Sequence, residues 1–249
     1  MGRDFTGLRR AALGALHVMF PPRCIACGAG VAADFGLCPA CWRETPFASG
    51  LVCDKCGAPL PGADEGKPEY CDDCLTIARP WQRGRAALVY KDAARRMVLA
   101  FKHGDRLDLR RPLAGWMLRA AAPLLEPGMV LAPVPLHRLR LLKRRYNQSA
   151  LLSGAVARAA GLTHVVDLLQ RTRATRSQEG LHRDERFANL SGAVRINPRR
   201  AGLLAGRHVL LVDDVMTSGA TFAVCADACL AAGAENVSVL ALARVAKDA

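Results

Sequence analysis

The residues of this chain best suited to chemistry lie in the segment VLLVDDVMTSGAT at positions 209–221. A short apolar run precedes two adjacent aspartates, and a turn of small and hydroxyl residues then leads into a helix-prone stretch. Such a turn offers backbone N–H groups and hydroxyls to an anion, and the dipole of the following helix favours negative charge. Two carboxylates beside an anion must face hydroxyl groups or a metal ion, because like charges repel. A sugar 5-phosphate meets both requirements.

We expect Asp213 and Asp214 to lie at the carboxyl end of a buried strand, since ligands of parallel sheets bind at that edge. The turn after them would hold the phosphate, while the two acids would face the sugar. A solvated strand end followed by a helix cap is the alternative without a ligand. The predicted binding residues are Asp213, Asp214, Val215, Met216, Thr217, Ser218, Gly219, Ala220 and Thr221.

Four CxxC pairs form a second group of reactive residues, all of them between positions 24 and 74. Two intervening residues allow both thiolates of a pair to face one ion, and two pairs complete a tetrahedral zinc site, so we expect two structural Zn²⁺ ions. Gly28 and Gly57 follow the first and third pairs, where the turn commonly needs a permissive backbone. Each CxxCG is therefore expected to share a site with the next CxxC. The predicted metal ligands are Cys24, Cys27, Cys38, Cys41, Cys53, Cys56, Cys71 and Cys74.

The cysteine spacing leaves two alternatives open. The pairs could interleave instead of following one another, and an iron–sulfur cluster also takes four thiolates, although regular tetrahedral sulfur ligation favours zinc. A segment of this size with little apolar bulk needs metal to fold, so its expected role is structural. Cys225 and Cys229 lie four residues apart on the last predicted helix, where we expect ordinary buried side chains.

The formal net charge of the 249-residue chain is +13, and it is unevenly distributed. Residues 1–80 hold 8 basic and 9 acidic side chains, whereas residues 81–249 hold 27 and 13. The stretch 135–200, which precedes the aspartate pair, contains 14 basic side chains and 4 acidic ones. A polyanionic small molecule or a nucleic acid backbone would be attracted to this stretch. A generally basic, solvated surface is the alternative reason for the total charge.

Composition and apolar pattern divide the chain into an N-terminal amphipathic helix over residues 1–20, a double zinc ribbon over 21–80 and a larger domain over 81–249. In the larger domain strand-like and helical stretches alternate, which predicts an α/β fold with a mostly parallel sheet flanked by helices. The predicted strands cover residues 85–90, 129–134, 164–169, 209–212 and 237–243. The predicted helices include residues 91–105, 111–125 and 147–160.

No apolar run approaches the roughly 18 to 20 residues that cross a bilayer, so we expect no membrane insertion. The apolar residues 11–20 lead into two prolines and a CxxC pair instead of a cleavage site, which argues against a signal peptide. Cysteines grouped as CxxC pairs suit metal binding in a reducing compartment, so the expected location is the cytoplasm.

The segment DDVMTSGAT resembles the motif with which type I phosphoribosyltransferases bind 5-phosphoribosyl 1-diphosphate (PRPP). The chain as a whole resembles the ComF/GntX family of competence-associated proteins, which has that fold. The resemblance includes the cysteine-rich start, FPPRC at residues 20–24, PVPLHRLRLLKRRYNQSALL at 133–152 and RTRATRSQEGLHRDERFANLSGAV at 171–194. These features follow one another in the family's order over most of the chain.

The resemblance implies a type I phosphoribosyltransferase-like domain that binds PRPP with Mg²⁺ and transfers its phosphoribosyl group, releasing diphosphate. Asp213 and Asp214 would be the catalytic acids, which hold the ribose hydroxyls directly or through magnesium. The diphosphate-binding loop would contain His137, Arg138, Arg144 and Arg145. A flexible loop that closes over PRPP would contain Arg173, Thr175 and Gln178. Nothing in the sequence identifies the acceptor.

A non-catalytic protein is the competing interpretation. In it the fold would act as a ligand sensor or scaffold, and the basic stretch 135–200 would handle single-stranded DNA during uptake and transformation, together with other competence proteins, as the family name implies. Aromatic residues are few in that stretch, so binding would follow the phosphate backbone instead of base stacking. The chain has no GxxxxGK[ST], HExxH or GxSxG motif, which gives no support to the enzyme classes that they mark.

Overall fold

The computed structural model describes residues 19–103, 106–137, 141–142, 145–173 and 192–246. The predicted N-terminal helix lies outside this range except for its last two residues. The helices are α1 (Pro39–Glu44), α2 (Asp72–Thr76), α3 (Asp92–His103), α4 (Arg110–Ala121), α5 (Gln148–Ala160) and α6 (Ala220–Ala231), with 3₁₀ helices at Leu107–Leu109, Ala122–Leu124 and Ala201–Leu203. The strands are β1 (Arg83–Val89), β2 (Val130–Pro133), β3 (Thr163–His164), β4 (Leu169–Arg171), β5 (Val194–Ile196), β6 (His208–Met216) and β7 (Asn236–Arg244).

Five strands form one sheet in the order β1-β7-β6-β2-β3, and every neighbouring pair in it is parallel. The central strands β6 and β7 are each nine residues long and consist mainly of buried apolar residues. Such continuous apolar strands are typical of parallel sheets covered on both faces. Strands β4 and β5 form a separate antiparallel pair. The predicted α/β architecture with a mostly parallel sheet flanked by helices is confirmed.

Alternate side chains of β6 face two different apolar layers. Leu210 packs into the layer formed with α3, α4 and α5, whereas Leu211 faces the layer that contains α6. The second layer also includes Cys53 and Cys56, which are fully buried. The second half of the zinc ribbon is therefore part of the core that covers the sheet.

The ribbon runs unusually close to β1, the edge strand of the sheet. A Cβ atom on Gly57 would lie 2.4 Å from the backbone nitrogen of Ala86, and one on Gly84 would lie 2.4 Å from the carbonyl oxygen of Lys55. Glycine is therefore required on both sides of this contact. The contact covers a strand edge that would otherwise expose unpaired backbone groups.

An ion pair and a backbone hydrogen bond also join the ribbon to β1. The Asp54 carboxylate accepts from the guanidinium groups of Arg83 at 3.0 Å and Arg85 at 2.7 Å. The backbone carbonyl oxygen of Asp54 accepts the Gly84 N–H at 2.8 Å. Burial tends to raise the pKa of Asp54, but the hydrogen bonds from the two arginines lower it on balance. These contacts attach the ribbon firmly to the edge of the sheet.

The structure corrects the predicted strand over residues 164–169. This segment contributes to β3 and β4, which belong to different sheets, because the chain turns at Asp167. The Asp167 carboxylate accepts from Asn197 at 3.0 Å and from Arg200 at 2.9 Å, which holds the turn against the segment after β5. Strand β5 itself was not predicted, since three residues are too few to show a periodic pattern.

The predicted burial of Cys225 and Cys229 is confirmed, since both thiols are fully enclosed in the core on α6. Within the described residues no helix combines the length and the apolar character that a membrane crossing requires.

Candidate functional site

The aspartate pair lies inside β6 instead of after it, which corrects the predicted end of this strand. Strand β7 continues to pair with β6 as far as Met216. On the other side β2 ends at Pro133, opposite Val212. Asp213 and Asp214 therefore extend past the end of β2 at the carboxyl edge of the sheet, which is where parallel sheets bind their ligands.

Asp213 is held by the start of α5. The Ser149 hydroxyl donates to Asp213 Oδ1 over 2.8 Å, and the same oxygen accepts the backbone N–H of Asp214 at 2.9 Å. Ser149 is fixed in turn because Asn147 caps the helix and accepts the Ser149 N–H at 3.0 Å. The cap of α5 thus orients one acid of the pair.

Asp214 is held by a cation from α3. The Lys102 ammonium group lies 3.0 Å from Asp214 Oδ2, and the two side chains are 24% and 13% exposed. Gln148 donates to the Lys102 carbonyl oxygen at 3.1 Å, which anchors the end of α3 beside α5. The Asp214 carboxylate is therefore neutralised by Lys102, whereas the Asp213 carboxylate is held by the Ser149 hydroxyl group.

Ionisation of Asp213 is disfavoured by its surroundings. Burial, and then the adjacent charge of Asp214, raise the pKa of Asp213 to about 7, although the hydrogen bond from Ser149 opposes the shift. Near neutral pH this acid is therefore divided between its protonated and ionised forms.

Asp213→Asn is expected to stabilise the ligand-free protein more at pH 8 than at pH 5. The folded protein holds this proton more tightly than the unfolded chain, so the stability that the protonated acid contributes falls as the pH rises above the ordinary pKa of an aspartate and is fully lost above about 7. Asparagine keeps the oxygen that accepts from Ser149 and does not ionise. We expect the melting temperature to rise by about 2–4 °C at pH 8. An equal rise at pH 5 would contradict the raised pKa, and Asp214→Asn should instead lower the melting temperature because Lys102 loses its partner.

Arg244 lies at the end of β7 and is buried beneath the turn that follows β6. Its Nη1 atom donates to the carbonyl oxygens of Met216 at 3.3 Å and Thr217 at 2.6 Å. The Met216 oxygen also accepts the backbone N–H of Val245 at 2.9 Å. Both carbonyl groups are therefore directed toward β7 and away from the open end of β2.

Arg79 holds the next carbonyl group of the same turn. Its Nη1 atom donates to the Ser218 carbonyl oxygen over 2.7 Å. Gly219 follows in a left-handed conformation with φ +82°, immediately before α6. A Cβ atom there would lie 2.9 Å from Arg79 Nη1 and 3.0 Å from the Trp81 ring. The carbonyl side of the turn is thus tightly packed, and glycine is the residue that fits.

The direction of these carbonyl groups sets the direction of the N–H groups. Every peptide bond in the described part of the chain is trans, and in a trans peptide the C=O of one residue and the N–H of the next point in opposite directions. Because the carbonyl groups of residues 216–218 face the two arginines, the N–H groups of Thr217, Ser218 and Gly219 face the other side. Consecutive N–H groups at a helix N-terminus form a concave site for an anion.

The predicted diphosphate-binding and flexible-loop residues are only partly described. His137 follows β2 and lines a cavity of about 760 Å³. Arg145 has a left-handed backbone conformation with φ 65°, and Arg173 is exposed beyond β4. The roles proposed for these residues stay predictions. The predicted residues outside the described part of the chain are Arg138, Arg144, Thr175 and Gln178.

Each of the two cysteine clusters brings its four sulfur atoms within 4.8 Å of one another. The sulfurs of Cys27 and Cys38 are 3.7 Å apart, and so are those of Cys56 and Cys71. In a tetrahedral site with Zn–S bonds of about 2.3 Å the sulfurs lie about 3.8 Å apart, so both clusters fit zinc. The CxxC pairs combine in sequence order and do not interleave. The first cluster is Cys24, Cys27, Cys38 and Cys41, and the second is Cys53, Cys56, Cys71 and Cys74.

Sequence reasoning did not identify the residues that support the acids and the turn. Arg244 could have been noticed, because it is a charged residue at the end of an otherwise apolar strand. Lys102 was visible only as one basic residue of an amphipathic helix, and nothing in the local sequence connects it with the aspartates. The supporting residues that were missed are Arg79, Lys102, Ser149 and Arg244.

The cysteine-rich segment matches a known protein family. Residues 15–75 match the family model of the double zinc ribbon domain. Together with the two Cys₄ clusters, this match identifies both as zinc sites and favours zinc over an iron–sulfur cluster.

Among solved structures, the chain is similar to the glutamine PRPP amidotransferase from B. subtilis complexed with ADP and GMP. The two are 17% identical, the match covers 57% of this chain and 30% of that one, and the TM-score is 0.38. The protein TT1426 from Thermus thermophilus is 19% identical over 56% of this chain and 85% of its own, with a TM-score of 0.33. TM-scores below 0.5 do not establish a common fold, so the fold assignment rests on the sheet described above.

Similarity to curated proteins extends over most of the chain. DNA utilization protein YhgH of Shigella flexneri is 32% identical over 84% of this chain and 91% of the relative. The Escherichia coli K12 protein of the same name gives the same values. Competence protein F of Haemophilus influenzae is 28% identical over 89% of this chain and 96% of the relative. Identity of this extent shows that the chain belongs to the ComF family, which includes Competence protein F and DNA utilization protein YhgH.

Proposed function

We propose that this chain binds PRPP with Mg²⁺ at the carboxyl edge of its sheet and acts as a phosphoribosyltransferase. The observation that carries the proposal is the alignment of three consecutive N–H groups, from Thr217 to Gly219, beside the paired acids Asp213 and Asp214. The N–H groups suit the 5-phosphate, whereas the acids suit the ribose hydroxyls. Few ligands other than a phosphorylated sugar require both groups side by side.

The acids have a second role in the proposed reaction. Displacement of diphosphate by an acceptor breaks the bond at the anomeric carbon, and positive charge develops on the ribose ring. Asp213 and Asp214 would stabilise this charge through space, in a half-buried site where electrostatic effects are strong. Their oxygen atoms also suit Mg²⁺, which prefers oxygen ligands and would neutralise the departing diphosphate.

The large cavity beside His137 is the place that we propose for the reacting end of the ligand and for the acceptor. Asn147 lines this cavity and also caps the helix whose Ser149 holds Asp213, so the cavity and the acids share one support. The walls combine apolar side chains with polar ones such as Asp167 and Arg171. A planar acceptor with hydrogen-bonding edges would suit such a surface.

Calorimetry with PRPP and Mg²⁺ tests the binding, and an assay for diphosphate release in the presence of bases and amines tests the transfer. We expect saturable PRPP binding that requires Mg²⁺, and competition by ribose 5-phosphate, because both ligands use the same turn. Binding of diphosphate without any binding of ribose 5-phosphate would contradict the proposed role of the turn.

A second candidate function is the handling of single-stranded DNA without catalysis. Two observations favour it: relatives carry the names DNA utilization protein and Competence protein F, and the chain has a formal net charge of +13. Backbone binding of this kind weakens steeply as salt is added, because bound counterions are released. A DNA affinity that falls with salt and is unchanged by Asp213→Asn would support this function as separate from the PRPP site.

A further inference from the structure

We infer that the second zinc site positions the phosphate-binding turn through Trp81 and Arg79. The inference deepens the proposed function, since the turn is the proposed 5-phosphate site. The contacts that carry it nevertheless exist with or without a ligand. A zinc site that is structural by its ligands would thus also control the shape of a binding site in the other part of the protein.

The first connection is made by Arg79, which lies five residues after the last zinc ligand, Cys74. Its guanidinium group stacks over the Trp81 ring, 5.3 Å from the ring centre, and reaches the Ser218 carbonyl oxygen at 2.7 Å. A Cβ atom on Gly219 would lie 2.9 Å from Arg79 Nη1 and 3.0 Å from the Trp81 ring. Arg79 and the Trp81 ring therefore pack together against the turn.

The second connection is made by Trp81, which is only 1% exposed and belongs to the same buried layer as the zinc ligands Cys53 and Cys56. Its indole N–H donates to the Lys55 carbonyl oxygen at 2.6 Å, and the Lys55 ammonium group donates to the Trp81 carbonyl oxygen at 3.1 Å. Lys55 lies between Cys53 and Cys56 in the CxxC pair. The ring that packs against the turn is therefore held by the backbone of the second zinc site.

The position of Lys55 explains why the connection depends on zinc. Cys53 and Cys56 would bind the ion together with Cys71 and Cys74, which fixes the segment between them. Loss of zinc would release this segment, and with it the carbonyl group that holds the Trp81 ring in place.

The first zinc site provides a matched comparison. It has the same four-cysteine composition, but its ligand Cys27 is exposed, and its sulfurs contact one another and the backbone of Cys38. None of the hydrogen bonds that hold the turn comes from this cluster. We therefore expect the turn to respond to the second site and not to the first.

Arg79→Ala in the full-length, zinc-loaded protein tests the first connection. We expect about a ten-fold loss of PRPP affinity by calorimetry, the usual effect of losing one hydrogen bond from a charged group. Amide hydrogen exchange should accelerate at Ala223 and Val245, whose N–H groups are bonded to carbonyl oxygens of the turn. Arg79→Lys should give an intermediate loss, because one ammonium group cannot match the guanidinium fork. Arg96→Ala, which removes an exposed arginine paired with Glu44, should change neither quantity.

Cys74→Ser and Cys27→Ser test the dependence on zinc. Zinc content is measured first, and each variant should retain one ion. We expect accelerated exchange at Ala223 and Val245 in Cys74→Ser alone. Equal acceleration in both variants, or none in Arg79→Ala, would overturn the inference.

The two readouts separate this inference from the proposed function. If the unaltered protein binds no PRPP, the proposed function fails, but the exchange rates at Ala223 and Val245 still decide whether the second zinc site controls the turn. If PRPP binds and the exchange rates do not respond to Arg79→Ala, the proposed function stands and the inference fails.

Discussion

Asp213→Asn combined with Asp214→Asn is expected to abolish PRPP binding, with a loss of affinity of about 100-fold or more. Each acid would contribute at least one charge-assisted contact to a ribose hydroxyl or to Mg²⁺, and the loss of such a contact costs about 1.5–3 kcal/mol. The loss of both contacts is therefore expected to lower the PRPP affinity more than about a hundred-fold. Isothermal titration calorimetry with PRPP and Mg²⁺ measures it directly.

The fold should survive this double substitution. Asparagine retains the oxygen atoms that accept from Ser149 and from the backbone of Val215. The unfavourable charge at Asp213 disappears, which offsets part of the loss of the ion pair between Asp214 and Lys102. Thermal melting should therefore show a cooperative transition close to that of the unaltered protein.

A control variant removes the same charge elsewhere. Asp64→Asn combined with Asp227→Asn changes two exposed acids and should leave the PRPP affinity unchanged. Retained affinity in the Asp213 and Asp214 variant would refute the assignment of the acids. Equal losses in both variants would show that net charge, and not the site, determines binding.

Gly57→Ala is expected to destabilise the protein by about 3 kcal/mol or more. Gly57 has φ +70°, and an added Cβ atom would lie 2.4 Å from the Ala86 nitrogen and 2.7 Å from the Arg85 carbonyl carbon. Backbone strain of this kind costs about 1–3 kcal/mol, and overpacking adds a similar amount. Because both neighbours are backbone atoms of β1, the turn that contains Cys56 and Gly57 must move away from the sheet. Urea unfolding followed by fluorescence measures the loss.

Gly28→Ala is the matched control for this prediction. Gly28 occupies the same place in the first CxxCG motif and has φ +79°, but a Cβ atom there would meet nothing within 4 Å. Its substitution should cost only the strain of a left-handed alanine, about 1–2 kcal/mol. If the two variants were equally destabilised, the close approach of the ribbon to β1 would not matter for stability. Zinc content should fall only in Gly57→Ala, and at the second site.

The two zinc sites were predicted almost completely from the sequence. Two residues between cysteines allow both thiolates to face one metal ion. Pairs such as Cys24 and Cys27, or Cys53 and Cys56, can therefore be recognised as metal ligands without knowledge of the fold. The sequence left open which CxxC pairs share an ion, and the two sulfur clusters show that consecutive pairs do so. The burial of the second site in the core was not foreseen, because it depends on the approach of β1.

The local motif of the candidate phosphate site was predicted, but the residues from other elements that hold it in place were not. The turn at residues 217–221 was identified because glycine and hydroxyl residues immediately before a helix are typical of an anion-binding turn. The end of β6 was placed too early, since the apolar run stops at Val212 while pairing with β7 continues to Met216. Charged residues can occupy a strand when a neighbouring strand still supplies its hydrogen bonds, and composition does not reveal that neighbour.

Residue types and short spacings were therefore sufficient for the metal ligands, the aspartate pair and the turn, because each of these features is formed by residues adjacent in the chain. The orientation of the turn depends on long-range contacts instead. Arg79 reaches Ser218 across 139 positions, and Ser149 reaches Asp213 across 64. Such contacts leave no periodic trace in a single sequence, since they follow from how the strands order themselves in the sheet. Folding alone brings Arg79 and Arg244 into contact with the turn after β6.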